Sequence, residues 1–174
     1  MNYRNLSDPN AKYTMRDLSS ETMGLENGRG SIRDAEITDV QTVIVDGNYP
    51  WILVRVYTDA GIVGNGEAYW GGATPEIIDR ITPFLVGENP LDIDRLYEHM
   101  VQKMSGEGSI GGKTIEAISG IDIALHDVAG KLLEVPAYQL LGGKYRDEIR
   151  TYCDCHTENE ADPVACADEA ERVV

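Results

Sequence analysis

Three short segments with the pattern of β-strands, separated by turns, constrain the fold of this chain most strongly. The segment Trp51–Tyr57 alternates between apolar and polar residues, as expected for a strand with one buried face. Asp59-Ala60-Gly61 then predicts a hairpin turn into Ile62–Tyr69. Together with Ile37–Val45, these segments predict a three-stranded antiparallel meander.

Helical patterns follow the meander. Thr74-Pro75 is typical of a helix start with Thr74 as the N-cap, and Pro83 and Gly87 are expected to end that helix. A second helix is predicted after Asn89-Pro90 and a long third one after a glycine-rich loop. The predicted buried stripes are Ile93, Leu96, Tyr97, Met100 and Met104 on the second helix, and Ile115, Ile118, Ile121, Leu125, Val128 and Leu132 on the third.

The two ends of the chain differ from this central part. Residues 1–34 are polar and turn-rich and are interpreted as an N-terminal arm, with a short helix possible around Met15–Met23. Glu148–Cys155 resembles a strand, and Asp162-Pro163 is expected to begin a helix that runs to the last residue. A parallel strand needs neighbours in its sheet, so we expect residues 147–174 to be the first β/α unit of a larger protein.

The composition excludes several functions. A formal net charge of −15 opposes binding to nucleic acid or to anionic membrane surfaces, and no segment resembles a membrane span. Because the acids are spread along the chain and lysine is scarce, the pattern indicates a halophilic protein, with an ordinary acidic enzyme as the alternative. Three cysteines and the absence of a signal-peptide pattern favour the cytoplasm.

Several motifs resemble functional sites but favour simpler interpretations. Gly106–Thr114 nearly spells a phosphate-binding loop, but its first glycine would fall on Glu107 and a helix precedes it, which favours an interhelical loop. Cys153-Asp154-Cys155-His156 lacks a second ligand pair for zinc. His126 is interpreted as a helix-packing residue, since nothing completes a catalytic set around it. Gly64-Asn65-Gly66 indicates close backbone approach or a bulge rather than a dinucleotide site.

Three stretches in combination resemble one family. Gly61–Ala68 resembles the G-x-x-G-x-G-E hairpin of the mandelate racemase/muconate lactonizing group of the enolase superfamily. Ala117–Asp127 resembles its A-x-x-A-I-D-x-A-L-W-D helix, with His126 in place of tryptophan. Gly130–Lys144 is similar to its G-K-x-x-x-x-P-x-x-x-L-L-G-G segment. The likeness covers residues 35–174 and is greatest to sugar-acid dehydratases acting on gluconate, xylonate or galactonate.

The resemblance implies an α+β chain: an enolase-like N-terminal capping domain over residues 35–146, followed by the first β/α unit of a truncated TIM barrel. It implies that the complete enzyme uses Mg²⁺ to stabilise an enediolate formed by removing the proton α to a carboxylate. The metal ligands and catalytic bases would lie on later barrel strands, so no catalytic or metal-binding residue is expected in this chain.

The resemblance further implies that two loops close over the substrate. The first loop is Asp46–Tyr49 and the second loop is Tyr69–Gly72. The candidate residues for binding a small-molecule sugar acid are Asn48, Tyr49, Tyr69, Trp70 and His156. For the loop residues, the alternative is ordinary turn and edge packing.

Two other functions stay open at this stage. One is a racemase, epimerase or cycloisomerase on the same fold, which only the bases on later strands would distinguish. The other is a non-catalytic fragment or interaction module. Family analogy also implies a homo-oligomer for the full-length protein.

Overall fold

The computed structural model describes residues 34–47, 49–107, 111–152 and 162–173. The chain divides into two compact units, residues 1–142 and 143–174. Residues 1–33 of the N-terminal arm and residues 108–110 of the glycine-rich loop lie outside the described residues. The strands are β1 (Ile37–Asp46), β2 (Pro50–Thr58) and β3 (Val63–Ala68), and the helices are α1 (Thr74–Ile81), α2 (Ile93–Met104), α3 (Lys113–Leu132), α4 (Ala137–Leu140) and α5 (Pro163–Val173).

The three strands form the predicted antiparallel meander in the order β1-β2-β3. Asp46 pairs with Pro50 across the first hairpin, and Tyr57 pairs with Val63 across the second. The second hairpin turns through Gly61 at a φ of 72°, and the Thr58 hydroxyl donates to the Ile62 carbonyl oxygen at 2.8 Å. Glycine suits this position because a left-handed φ costs it little.

One face of the sheet and three helices enclose a single apolar core in the first unit. Alternate residues of β2, namely Ile52, Val54 and Val56, are fully buried as the sequence pattern predicts. Helix α3 lies against β3 and β2, and α1 and α2 pack against α3. The helical core side chains include Ile78, Ile81, Leu96, Met100, Ile118, Ile121 and Leu125. Tyr97, predicted to be buried, is 37% exposed, because the buried stripe of α2 runs through Leu96, Met100 and Met104 at a spacing of four and Tyr97 lies beside it.

Strand β3 and helix α3 touch through their backbones. A methyl group added at Gly64 would lie 2.1 Å from the Ala124 carbonyl oxygen, and one at Gly66 would lie 2.2 Å from that of Gly120. In the other direction, a methyl group at Gly120 would lie 2.7 Å from the Ala68 Cβ. The close backbone approach predicted for the Gly64-Asn65-Gly66 strand is therefore confirmed.

The start of α1 differs from the prediction. Ala73 precedes the helix at a φ of 73°, and Thr74 is its first residue rather than its N-cap. The Thr74 side chain is fully buried, and its hydroxyl has no hydrogen-bond partner among the described residues. The left-handed residue at Ala73 turns the chain one position earlier than the proline signal indicates, which carries Thr74 into the core. The end is as predicted, with a 3₁₀ turn at Thr82–Phe84 and Gly87 at a φ of 85°.

In the second unit, the predicted strand over Glu148–Cys155 is not formed in residues 148–152, and the remainder of it lies outside the described residues. Tyr152 and Ile149 are 88% and 77% exposed. A parallel strand requires neighbouring strands, and the described part of this unit holds none for it to pair with. Helix α5 begins as predicted, because Asp162 Oδ1 accepts a hydrogen bond from the Val164 amide at 2.9 Å.

The contact between β3 and α3 gives a stability prediction. Gly64→Ala is expected to lower the free energy of unfolding by at least about 2 kcal/mol, because the new methyl group meets a backbone carbonyl that cannot rotate away. Gly106→Ala is the matched control, since a methyl group there has nothing within 4 Å. Urea unfolding followed by circular dichroism measures both. Equal midpoints for the two variants would contradict the close packing.

The buried hydroxyl of Thr74 gives a second prediction. Thr74→Val keeps the side-chain shape and removes a buried, unpaired polar atom, so the variant is expected to be as stable as the parent or more stable. An N-capping threonine would behave in the opposite way, since its loss costs about 1 kcal/mol. Thermal unfolding distinguishes these outcomes. A clear fall in the melting temperature of Thr74→Val would show that Thr74 acts as the N-cap.

Candidate functional site

The first and second loops lie side by side at one end of the sheet. The first loop joins β1 to β2, and the second follows the last residue of β3. Because Ile52 pairs with Ala68, the start of β2 and the end of β3 bring the two loops together. Asn48 of the first loop lies outside the described residues.

Four aromatic side chains gather where these loops meet. Tyr49 and Trp70 are stacked, with ring centroids 6.2 Å apart and an angle of 25° between their planes. Tyr49 also meets Trp51 edge-on at 6.3 Å, and Tyr69 lies 6.1 Å from Trp70. Each of these separations falls in the range of attractive aromatic pairs.

These four residues, together with Pro50, Glu67 and Ala68, line an open cleft of about 440 Å³. We call it the aromatic cleft. Its rings remain substantially exposed, from 38% for Trp51 to 61% for Tyr69. Exposed aromatic faces can stack on apolar C–H groups, while the tyrosine hydroxyls and the Glu67 carboxylate can pair with hydroxyl groups. The cleft therefore suits a ligand that has both kinds of surface.

Lys113 anchors the second loop to the first residue of α3. Its Nζ donates to the Trp70 carbonyl oxygen at 3.0 Å and to Glu116 Oε2 at 2.7 Å. The same ammonium lies 5.6 Å from the centroid of the Tyr69 ring, within range of a cation–π interaction. Lys113 is not among the predicted site residues, because it lies in the near-match to a phosphate-binding loop and its contact with Trp70 exists only in the folded structure.

The structure brings together three of the predicted site residues, Tyr49, Tyr69 and Trp70. Asn48 and His156 lie outside the described residues. Trp51 and Glu67 also line the cleft and were not predicted. The antiparallel pairing of β2 with β3 could have predicted them. Glu67 pairs with Leu53, so the end of β3 lies beside the start of β2, where Trp51 follows Pro50.

His126 packs within α3, as its sequence context predicts. Its Nδ1 lies 2.9 Å from the Asp122 carbonyl oxygen and 3.5 Å from Asp122 Oδ2. Burial raises the pKa of the Asp122 carboxyl above its ordinary value of 3.8, His126 acts in the opposite direction, and Asp94 adds to the rise. These groups do not line the aromatic cleft, so they bear on stability.

The described residues do not supply a metal site. Among them, no cluster of three or more histidine, cysteine, aspartate or glutamate side chains could hold a metal ion.

No helix among the described residues is long and apolar enough to span a bilayer.

Comparison with known proteins identifies the family. Residues 37–142 match the model of the mandelate racemase/muconate lactonizing enzyme N-terminal domain. The match covers the sheet, the helices α1–α4 and both loops. The chain belongs to this family, within the enolase superfamily, and its described first unit is the N-terminal domain.

Individual relatives narrow the comparison. The chain is 78% identical over 169 residues to D-xylonate dehydratase of Haloferax volcanii, covering 97% of this chain and 41% of that protein. It is 40% identical over 105 residues to D-galactonate dehydratase of Verminephrobacter eiseniae, covering 59% of this chain and 27% of that protein. The Haloferax relative fits the halophilic character predicted from the acidic composition.

A solved structure supports the fold assignment. The crystal structure of a mandelate racemase/muconate lactonizing enzyme-like protein from Rubrobacter xylanophilus matches with a TM-score of 0.67 at 40% identity. The matched region covers 70% of this chain and 31% of the Rubrobacter protein. The chain thus spans about two fifths or less of the length of these similar proteins.

The raised pKa of Asp122 gives a prediction with a defined sign. Below the ordinary pKa of 3.8 the carboxyl is protonated in both states, so its burial costs little. As the pH rises, the unfolded state ionises first, and the penalty grows until the folded carboxyl also ionises. Asp122→Asn should therefore stabilise the protein more at about pH 7 than at about pH 3.

Urea unfolding at both pH values measures this difference. Asp79→Asn is the control, because it removes an exposed carboxylate from α1. A stability gain for Asp122→Asn that is constant or falls with rising pH would show that burial does not govern this carboxyl.

Proposed function

We propose that this chain is the substrate-closing N-terminal part of a sugar-acid dehydratase that acts on D-xylonate or a closely similar acid. The reaction is loss of water from the sugar acid to give a 2-keto-3-deoxy acid. The observation that carries the proposal is the aromatic cleft, formed where the two loops of the N-terminal domain meet. The 78% identity to a D-xylonate dehydratase supports the choice of substrate.

The cleft has the chemistry that a polyhydroxylated acid requires. Trp70 and Tyr49 present ring faces for the C–H groups of the carbon chain, and Glu67 presents an acceptor for its hydroxyl groups. The first loop is short, since Asp46 already pairs with Pro50 across the hairpin. A short loop leaves room for a ligand as long as a five-carbon or six-carbon acid.

The chemical step depends on groups outside the described residues. In this proposal Mg²⁺ in the complete enzyme stabilises the charge that develops when the proton α to the carboxylate is removed. Among the described residues, no group of three or more histidine, cysteine, aspartate or glutamate side chains could hold a metal ion. The contribution of the described residues is to bind and orient the substrate and to exclude water from it.

The proposal assigns a role to each part of the chain. In it, residues 1–34 are an arm, residues 35–146 are the capping domain and residues 147–174 are the start of the barrel, with His156 as a further candidate for binding the substrate. The high negative charge opposes binding to nucleic acid or to an anionic membrane surface, which leaves a small-molecule sugar acid as the proposed partner. We place the complete protein in the cytoplasm as a homo-oligomer, from its cysteine content and its family.

Trp70→Ala in the complete protein that carries this chain tests the role of the cleft. Removing a ring that stacks on the substrate should raise the KM for D-xylonate about tenfold and change kcat less, because binding energy common to the ground and transition states is lost. Phe84→Ala is the matched control, since Phe84 is an exposed aromatic residue that does not line the cleft.

The assay follows formation of the 2-keto-3-deoxy acid with Mg²⁺ and with a chelator. Equal KM values for the two variants would contradict substrate binding in the cleft. Inversion at C2 of the acid without loss of water would instead identify a racemase or epimerase, and ring closure or opening without loss of water would identify a cycloisomerase.

A further inference from the structure

Two lysines at opposite ends of α3 contact β3 and the second loop that follows it. Near the end of α3, Lys131 Nζ donates to the Val63 carbonyl oxygen at 2.7 Å and to Asp127 Oδ2 at 2.7 Å. At the first residue of α3, Lys113 makes the corresponding pair of contacts, to the Trp70 carbonyl oxygen and to Glu116. Each ammonium therefore joins a carboxylate of α3 to a main-chain carbonyl on the sheet side.

The two lysines differ in what they hold. Val63 is the first residue of β3, and its position is already determined by pairing with β2. Trp70 lies two residues beyond the end of β3, where no ladder hydrogen bond fixes the backbone. The hydrogen bond from Lys113 to the Trp70 carbonyl oxygen therefore ties the second loop to α3.

The second loop follows the surface of this ammonium closely. Gly71 adopts a φ of 140°, and a methyl group added there would lie 2.3 Å from Lys113 Nζ. On the other side, the Tyr69 ring centroid lies 5.6 Å from the same atom. Three consecutive loop residues are therefore arranged around one charge.

The position of Lys113 is unfavourable for the helix itself. The N-terminus of a helix carries partial positive charge, so a cation at its first residue is repelled, and Glu116 in the same turn offsets that effect only in part. Helix stability therefore does not explain a lysine at this position, whereas the contacts of Lys113 with the second loop do explain it.

We propose that Lys113 is a positioning residue that fixes the second loop and thereby orients Tyr69 and Trp70 in the aromatic cleft. This inference rests on the proposed function for its consequence for substrate, but its effect on the loop is independent of any substrate. Lys113 acts through Trp70 and Tyr69, which contact the sugar acid, and does not contact it itself.

The first experiment measures the loop alone, in this full chain. Trp51→Phe leaves Trp70 as the single tryptophan, because the sequence contains two. Acrylamide quenching of its fluorescence then reports its exposure. Lys113→Met should raise the quenching constant up to about twofold, since Trp70 is now 47% exposed and would approach full exposure. Lys113→Arg, which keeps a cationic donor, should remain close to the parent.

Lys131→Met is the matched control, because it removes the same charge and the same two types of contact from the other end of α3. It should leave the quenching of Trp70 unchanged even if it lowers the melting temperature as much as Lys113→Met. Equal quenching in Lys113→Met and the parent would overturn the proposal, and so would equal increases in the two lysine variants.

The second experiment uses the complete protein and D-xylonate. Lys113→Met should raise KM about tenfold with a smaller change in kcat, and Lys113→Arg should recover most of this loss. A raised KM with unchanged quenching of Trp70 would mean that Lys113 contacts the substrate directly, which overturns the positioning role. Increased quenching with an unchanged KM would support loop positioning and contradict substrate binding by the cleft.

Discussion

The backbone contact between β3 and α3 is the constraint on which the rest of the first unit depends. Gly64, Gly66 and Gly120 remove the side chains that would separate the strand from the helix. With these two elements in contact, the buried residues of β2 meet those of α3, and α1 and α2 also pack against α3. The same contact brings Lys113 and Lys131 within reach of carbonyl oxygens beyond and within β3.

The scarcity of lysine makes the placement of each one informative. All four lysines in the described part of the chain contact a carboxylate or an aromatic ring: Lys103 lies over Phe84, Lys144 pairs with Asp147, and Lys113 and Lys131 join α3 to the β3 side. Exposed ion pairs are weakened by salt, whereas a hydrogen bond to a carbonyl oxygen depends less on ionic strength. At high salt, the hydrogen bonds from Lys113 and Lys131 to backbone carbonyl oxygens should therefore weaken less than the ion pairs that the same lysines make.

Much of the first unit follows from local patterns. The alternation in β2, the turn at Gly61 and the helical stripe of α3 predict the meander and the long helix because each pattern reflects burial of one face. The close approach at Gly64 was predictable for the same reason, since glycine in a strand removes bulk. The family motif on α3 also places the chain correctly in its superfamily.

The predictions that the structure does not bear out concern residues whose position depends on tertiary contacts. Thr74 has the sequence context of an N-cap, but the left-handed backbone at Ala73 moves it into the core. The segment 148–152 has strand composition but no partner strand in the described part of its unit. The role of Lys113 was not predictable, because its contact with Trp70 joins residues far apart in sequence and depends on how β3 packs against α3.

Hydrogen–deuterium exchange on the complete protein tests the central claim most directly, by comparing the free protein with the protein bound to D-xylonate and Mg²⁺. The account predicts slower exchange on binding in the backbone amides of the first loop and of Tyr69–Gly72, and no change in α2, which does not line the aromatic cleft. Exchange that slows only in residues beyond this chain, with both loops unchanged, would contradict the proposal that the N-terminal domain closes over the substrate.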